Sequence, residues 1–243
     1  MSIAPSKGTI ARGAFWSMLI GLSLIVTACG NNSSTAKVSP YTAPQLIQKA
    51  STNFNGDTAL HFTLTATHIA TGLFAVSQAD GDVVRPDKLK LLGADMLSPG
   101  LTKNIGIIFV GGQKYADLSG TGSYILFPNL PDLLAIFSPD KGIGAILSQM
   151  QNPTTPTDDT VNGVECWKIT GTVTSTLLAP ITDSAPATPT NVQTTLWVGQ
   201  TDYQIHQVTL TGKATDSDSD STVRTFILSN YNETVTIAAP PTN

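Results

Sequence analysis

The chain has 243 residues, only 12% of them charged, and a formal net charge of −4. An acidic chain lacks the basic patch that binding to nucleic acid requires, which excludes nucleic acid as a partner. The length is sufficient for one domain with a sizeable apolar core.

The N-terminal residues are typical of a secretory signal peptide. Two basic residues, Lys7 and Arg12, precede an apolar run from Gly13 to Val26. This run is shorter than the roughly 20 apolar residues that a comfortable membrane-spanning helix needs. We therefore predict an exported chain, with a plain membrane anchor as the alternative.

The residues around Cys29 indicate how the mature protein is held. Val26-Thr27-Ala28 before this cysteine resembles the lipobox of bacterial lipoproteins, in which the signal peptide is removed and the cysteine is acylated. We predict a lipoprotein signal peptide over residues 1–28 and lipidation of Cys29; the alternative is a secreted protein whose cysteine stands there by chance. Several acyl chains would anchor the protein on the extracytoplasmic face of the cell membrane. The remaining 215 residues carry 11 basic and 17 acidic residues, a net charge of −6.

The mature chain divides into a tether and one domain. We expect residues 29–41 to be the lipidated cysteine and a flexible polar tether, and residues 42–240 to form a single domain. An amphipathic helix is predicted over residues 43–53, because Thr42 and Gln45 form a capping box before an apolar face.

A period-two alternation of apolar and polar residues then predicts a series of short strands in an antiparallel meander. Gly111-Gly112 is a plausible tight hairpin turn between two of them. The predicted strands are residues 60–67, 73–79, 82–85, 88–91, 104–110, 114–118, 123–126, 165–173, 192–199, 203–211, 222–228 and 234–237.

Two short apolar helices are predicted to interrupt the meander. The first has Leu130, Leu133, Leu134 and Phe137 at helical spacing; the second starts at Ser138-Pro139-Asp140 and carries Ile143, Ile146, Leu147 and Met150. Such helices are usually buried against a sheet, and the functional alternative is that they wall an apolar cavity. Residues 151–160 and 184–191 are predicted loops.

The sequence offers little for catalysis. It contains no recognisable hydrolase, metalloprotease or nucleotide-binding motif. The three histidines, His61, His68 and His206, are expected to face solvent, and Cys166 is expected to be a small buried hydrophobe. We therefore predict that the protein is not an enzyme and has no cofactor.

One acidic segment resembles the start of a calcium-binding loop. Asp216-Ser217-Asp218-Ser219-Asp220 places oxygen ligands at positions one, three and five. Ser221 and Ile227 stand where such a loop needs glycine and glutamate, so we interpret the segment as a polar hairpin tip and predict no metal site.

Five segments, in order, resemble one known family. They are residues 79–87, 110–115, 163–171, 196–199 and 228–240, the first of them being Ala-Asp-Gly-Asp-Val-Val-Arg-Pro-Asp, taken as a strand-turn-strand signature. Behind a lipobox, this order resembles that of the LppX/LprG/LprA/LprF lipoproteins, the lipid-carrying envelope family of mycobacterial type. The resemblance covers nearly the whole mature chain.

The resemblance implies both a fold and a function. The fold would be α+β: a strongly curved antiparallel β half-barrel with helices packed on its concave face. An apolar cavity between them would accept the acyl chains of a lipid or glycolipid, which the protein would carry within the cell envelope. The sequence names neither the lipid nor a membrane transporter as partner.

The cavity lining is inferred from the apolar pattern, because an acyl chain needs only apolar area and exclusion of water. The expected residues are Phe62, Leu64, Phe74, Val76, Ile107, Phe109, Leu133, Leu134, Phe137, Ile143, Ile146, Leu147 and Met150. The alternative is that these side chains fill a solid core, which would leave a structural or adaptor lipoprotein that carries no lipid.

Overall fold

A computed structural model describes residues 37–70, 76–98, 101–182 and 184–241. The predicted signal peptide, Cys29, most of the tether and Phe74 lie outside the described residues. For residues 96–98 and 101–103 the backbone is described but the side chains are not.

The described chain contains few helices and many strands. The helices are α1 (Ala43–Gly56), the 3₁₀ helix η1 (Leu133–Phe137), α2 (Ile143–Leu147), the 3₁₀ helix η2 (Ser175–Leu178) and α3 (Ala179–Thr182). The strands are β1 (Ala59–Thr67), β2 (Val76–Val84), β3 (Lys88–Ser98), β4 (Leu101–Val110), β5 (Gln113–Asp117), β6 (Ile125–Leu126), β7 (Thr157–Val161), β8 (Val164–Thr174), β9 (Asn191–Gly199), β10 (Ile205–Thr211) and β11 (Val223–Ser229). No helix among the described residues has the length and apolarity needed to cross a membrane.

All these strands form one antiparallel sheet, in the order β6-β5-β4-β3-β2-β1-β11-β10-β9-β8-β7. The first and last strands of the chain pair at its centre, where Phe62 lies opposite Leu228 and Leu64 opposite Phe226. In the part of the chain that the structure describes, the edge strands β6 and β7 are not paired with each other. The sheet is therefore open, as in a half-barrel, and the predicted antiparallel arrangement is confirmed.

One face of the sheet is apolar, and we call it the inner face. Side chains on alternate positions of a strand share a face, and the strand register extends this rule across the sheet. One such row contains Ala79, Leu64, Phe226, Val208, Leu196 and Ile169. Side chains of α1, η1 and α2 belong to the same buried apolar cluster as these residues.

Helix α1 confirms the predicted capping box and extends three residues beyond the predicted end. The Thr42 backbone N–H donates to Gln45 Oε1 at 2.9 Å, and the chain enters the helix through Ala43 and Pro44. The apolar stripe of the helix is buried, as its spacing predicts: Leu46, Ile47, Ala50 and Phe54.

The predicted Gly111-Gly112 hairpin turn is also confirmed. Val110 pairs with Gln113, and both glycines have positive φ angles, 59° and 73°. Positive φ at both central positions is what a two-residue type I′ turn requires, and glycine adopts it without steric cost.

The predicted break between two strands at Asp80-Gly81 is wrong. Strand β2 runs without interruption through Gly81, and the turn comes later, at residues 85–87. Gly81 serves a packing role, since a Cβ there would lie 3.1 Å from the Phe62 ring and 2.6 Å from the Lys90 carbonyl oxygen. The glycine therefore admits an aromatic ring against the strand rather than reversing the chain.

Two further strand predictions are corrected. Part of the predicted loop 151–160 is the edge strand β7, whose polar sequence gives little alternation because most of its residues are exposed. Residues 234–237 are not a strand. Asn230 and Asn232 adopt left-handed φ angles of 51° and 59° directly after β11, which turns the chain away from the sheet.

The middle helices also differ from the prediction. The first is a 3₁₀ helix rather than an α-helix, and the second begins at Ile143, behind Gly142 at its N-cap, rather than at Ser138. Residues 138–140 are instead part of the connection between them. The short helices η2 and α3 were not predicted, because Ser175–Thr182 is too short for a periodic signal.

Candidate functional site

An apolar cavity of about 430 Å³ lies between the inner face of the sheet and η1. This volume falls within the roughly 300–1,000 Å³ of typical ligand pockets. The sheet contributes Phe62, Leu64, Val76, Ala79, Leu89, Leu91, Ala94, Ile105, Ile107 and Phe226. The covering side is formed by Leu130, Pro131, Leu133, Ile136, Phe137 and, from α3, Ile181.

The 3₁₀ geometry of η1 decides which of its side chains face this cavity. With three residues per turn, side chains three positions apart lie on the same face. Leu133 and Ile136 accordingly both line the cavity, whereas Leu134 and Ala135 line a different pocket. In the α-helix that the sequence predicted, the side chains of residues 133 and 136 would diverge more around the helix axis.

That second pocket, of about 550 Å³, is bordered by more charged residues. Phe109, Leu134 and Phe137 border it together with charged residues of both signs, which are Arg85, Asp87, Lys114, Asp132, Asp140 and Lys141. Phe137 lines both pockets, and its ring centroid lies 4.7 Å from that of Phe62. Phe137 thus forms part of the wall between the two spaces.

The residues expected to line a cavity fall into three groups. Phe62, Leu64, Val76, Ile107, Leu133 and Phe137 line the apolar cavity. Phe109 and Leu134 line the second pocket. Ile143, Ile146, Leu147 and Met150 line neither of these two pockets, and the first three are buried in the apolar cluster.

The position of α2 explains why its side chains are buried. A Cβ at Gly144 would lie 2.9 Å from Phe54 Cδ1, so this glycine lets α2 approach α1 closely. Met150 packs against Gly171 of β8: a Cβ at Gly171 would lie 2.7 Å from Met150 Cγ. Both contacts fill space that would have to be empty if a cavity lay there.

The sequence prediction missed one polar end of the apolar cavity. Asp218 is only 6% exposed, and its two carboxylate oxygens accept hydrogen bonds from the Arg224 guanidinium, both at 2.8 Å. It also accepts from the backbone N–H groups of Ala214 and Thr215, at 3.1 and 3.0 Å. The predicted polar hairpin tip is therefore wrong for Asp218, which is buried at the cavity wall.

The electrostatics of this end follow from the pairing. Burial raises the pKa of the Asp218 carboxyl, but the Arg224 guanidinium and the backbone N–H groups outweigh it, so the pKa is lowered overall. The ion pair is thus present at neutral pH. The sequence signal for it was one of three closely spaced aspartates, six positions before an arginine, which is too weak to recognise.

At the second pocket, Arg85 joins the ends of two helices. Its guanidinium donates to the carbonyl oxygens of Phe54 and Asp57, at the end of α1, and to Phe137 at the end of η1. The guanidinium carbon lies 4.6 Å from the Phe54 ring centroid. Burial lowers the pKa of Arg85 and raises that of the neighbouring Asp57.

The remaining candidate residues are structural. Cys166 is buried, as predicted, and burial raises its pKa to about 11, so it is a poor nucleophile. His68 is exposed, as expected. The expectation is wrong for His206, whose side chain is only 13% exposed and bonds Asp202 at 3.0 Å, while His61 is partly covered beside Asp82.

Comparisons with known proteins agree with this architecture. The family model of the LppX_LprAFG lipoproteins matches residues 42–237. The chain is 24% identical over 220 residues to the lipoarabinomannan carrier protein LprG of Mycobacterium leprae, covering 89% of this chain and 90% of that protein.

Two solved structures share the fold. LprF from Mycobacterium bovis aligns with a TM-score of 0.66 and 22% identity, over 81% of this chain and 96% of that one. LppX from Mycobacterium tuberculosis aligns with a TM-score of 0.60 and 18% identity, over 81% and 100% respectively.

Proposed function

Because the chain belongs to the LppX_LprAFG lipoprotein family, we propose that it binds acyl lipid or glycolipid in the apolar cavity under η1 and carries it within the cell envelope. In this proposal the open sheet is a curved half-barrel, its inner face is concave, and α1, η1 and α2 pack on that face. The name of LprG, a lipoarabinomannan carrier, supports a carrier role for this chain.

One observation carries the proposal: mostly apolar side chains of the described residues line a space of about 430 Å³, with polar groups at one end. Most of this lining offers no hydrogen bond, so water inside it would lose partners that it has in bulk. A hydrocarbon chain loses nothing there, and its burial contributes about 25 cal/mol per Å² before the costs of binding. The protein therefore works by exclusion of water, and no catalytic step is part of the proposal.

The anchor completes the proposed mechanism. Lipidated Cys29 would hold the protein on the extracytoplasmic face of the cell membrane, and residues 29–41 would let the domain stand away from the bilayer. The acidic mature chain has no charge attraction to anionic headgroups. Uptake would then depend on the cavity rather than on adhesion of the domain to the membrane surface.

A second candidate function is that of a structural or adaptor lipoprotein. It is favoured by the burial of Ile143, Ile146 and Leu147, three of the residues that were expected to line the cavity. It differs from the first proposal in one property, because an adaptor would be free of lipid when folded.

Native mass spectrometry of the purified protein separates the two proposals. A carrier is expected to show mass increments of acyl lipids that denaturation releases, and the delipidated protein is expected to take up a fluorescent fatty-acyl probe. Folded protein that is free of lipid and does not take up the probe would refute the carrier function and leave the adaptor.

A further inference from the structure

The polar residues of the apolar cavity are gathered at one end. Thr182 is the last residue of α3 and Ser184 follows that helix. Thr215, Ser217 and Asp218 belong to the connection between β10 and β11, and Arg224 is the second residue of β11. Arg224 stands two positions before Phe226 and therefore shares its inner face. The cavity thus passes from an apolar wall at Phe226 to a charged one at Arg224.

Arg224 has hydrogen-bond donors to spare at this end. A guanidinium carries five N–H donors. Asp218 takes one from each Nη atom, and among the described residues the Nε–H and the two other Nη hydrogens find no partner. The side chain is 17% exposed, and it lines the cavity. As far as the described residues go, three donors are therefore available to a ligand.

The orientation of these donors is fixed before any ligand binds. Asp218 holds both Nη atoms, and two backbone N–H groups hold Asp218 in turn. A planar guanidinium fixed by a bidentate partner keeps its remaining N–H groups in fixed directions. A ligand oxygen meets this fork without first having to order a flexible side chain.

The charges nearby favour a neutral ligand oxygen over an anionic one. Residues 212–224 contain Asp216, Asp218 and Asp220 but only two cations, Lys213 and Arg224. The segment is therefore negative by one charge, and the charge of Arg224 is already paired. This net negative potential would repel a carboxylate or a phosphate. An ester carbonyl carries no charge and would accept a charge-assisted hydrogen bond from Arg224 without that repulsion.

We propose that Arg224, held by Asp218, binds the ester carbonyl oxygens of a neutral acyl lipid at the polar end of the cavity. The acyl chains then extend from Arg224 past Phe226 toward Phe137. This inference rests on the proposed function and adds a specificity to it, namely neutral acyl esters in preference to ethers and free fatty acids.

Matched lipids test this inference directly. Delipidated protein is titrated with 1,2-dipalmitoylglycerol and with its diether analogue 1,2-dihexadecylglycerol, which has the same chains but no carbonyl, by displacement of a fluorescent fatty-acyl probe. We expect the diester to bind on the order of tenfold more tightly, the effect of one charge-assisted hydrogen bond. Methyl palmitate is likewise expected to bind more tightly than palmitate at neutral pH.

The variant Asp218→Asn/Arg224→Met removes the donors and the buried acid together, so that no buried charge is left unpaired. It should bind diester and diether equally, with unchanged affinity for the diether. Lys213→Met, an exposed change in the same connection, is the control and should keep the wild-type preference.

The outcomes are distinct. Equal binding of diester and diether by the wild-type protein, or a preference that survives in the double variant, overturns the role of Arg224 and leaves the carrier function intact. Binding of neither lipid by the wild type overturns the carrier function as well. If the double variant does not fold, the infrared band of ¹³C-labelled carbonyl in bound dipalmitoylglycerol decides, since hydrogen bonding shifts it to lower wavenumber and an unshifted band contradicts the proposal.

Discussion

The inner face of the sheet has two regions that differ in how they are covered. In the packed region, α1 and α2 bury Leu46, Phe54 and Leu147 almost completely. In the hollow region, η1 leaves Leu133 and Ile136 only partly buried beside an open space. Helices α2 and η1 have similar apolar composition. What differs is the covering element, so composition alone does not separate a core from a cavity wall.

The hollow region stays open because its cover is held at both ends. Lys114 Nζ donates to the Leu130 carbonyl oxygen at one end, and Arg85 Nε donates to the Phe137 carbonyl oxygen at the other, 2.9 Å away. Hydrogen bonds therefore fix the segment 130–137 above the sheet. Arg85 also donates to the carbonyl oxygens of Phe54 and Asp57 at the end of α1. The packed region has in addition a close contact between α1 and α2, which Gly144 makes possible by its closeness to Phe54.

Truncating one leucine in each region should give the largest contrast. Leu147→Ala is expected to lower the free energy of unfolding by about 2–5 kcal/mol, because it opens a cavity in a packed core. Leu133→Ala is expected to cost roughly 1 kcal/mol or less, because Leu133 already borders open space and loses fewer contacts. Urea unfolding of both variants measures the difference, and equal losses would contradict the distinction between the regions.

Replacing the same two leucines by tryptophan should give the opposite contrast in probe binding: the larger effect is expected at Leu133. Leu147→Trp is expected to overpack the core and destabilise the protein by about 1–3 kcal/mol. Leu133→Trp should place its ring in the open space, leave stability nearly unchanged and prevent uptake of a fluorescent fatty-acyl probe. The account fails here if Leu147→Trp blocks uptake without loss of stability, since that would place the cavity under α2.

Removing one of the end contacts tests how the cover is held. Lys114→Met keeps the length of the side chain but loses the hydrogen bond to Leu130, which should cost about 0.5–1.5 kcal/mol of stability. We expect weaker probe binding as well, because the released segment can settle onto the sheet. Lys90→Met on strand β3, two strands away in the sheet, is a matched control that should leave probe binding unchanged.

The smallest effect concerns pH, and its sign differs between the regions. Burial raises the pKa of Asp57 above its ordinary 3.8, so its stabilising contribution is present at low pH and is lost as pH rises through the raised value. For Asp218, pairing with Arg224 outweighs burial and lowers the pKa, so its contribution is present above 3.8 and is lost as pH falls through the lowered value.

The measurement is the free energy of unfolding between pH 6 and pH 3, from denaturant titrations. Asp218→Asn should make the loss of stability on acidification shallower than in the wild type, and Asp57→Asn should make it steeper. Slopes that move in the same direction for both variants would show that the two carboxyls do not differ as described.

Local sequence patterns were sufficient where neighbours along the chain decide the structure. The capping box at Thr42 predicted the start of α1, the Gly111-Gly112 pair predicted its hairpin, and period-two alternation predicted Phe62 and Leu64 on the inner face. Each of these signals depends on residues within a few positions of one another.

Patterns failed where distant residues decide. Gly81 resembles a turn residue until the Phe62 ring is placed against it, and Leu147 resembles a cavity residue until Gly144 brings α2 against α1. The polar end of the cavity depends on Asp218 meeting Arg224, and although these residues are only six positions apart, no repeating pattern indicates that the connection between β10 and β11 buries Asp218. No periodicity encodes contacts of this kind.

The most direct test of the carrier account is to locate a bound acyl chain. Crystals of the protein loaded with a dipalmitoylglycerol analogue brominated along its chains would reveal the bromine atoms by anomalous scattering. We predict bromine positions between the sheet residues Leu64 and Phe226 and the cover residues Leu133 and Ile136. Bromine found only at the protein surface, or beside Leu147 under α2, would contradict the account.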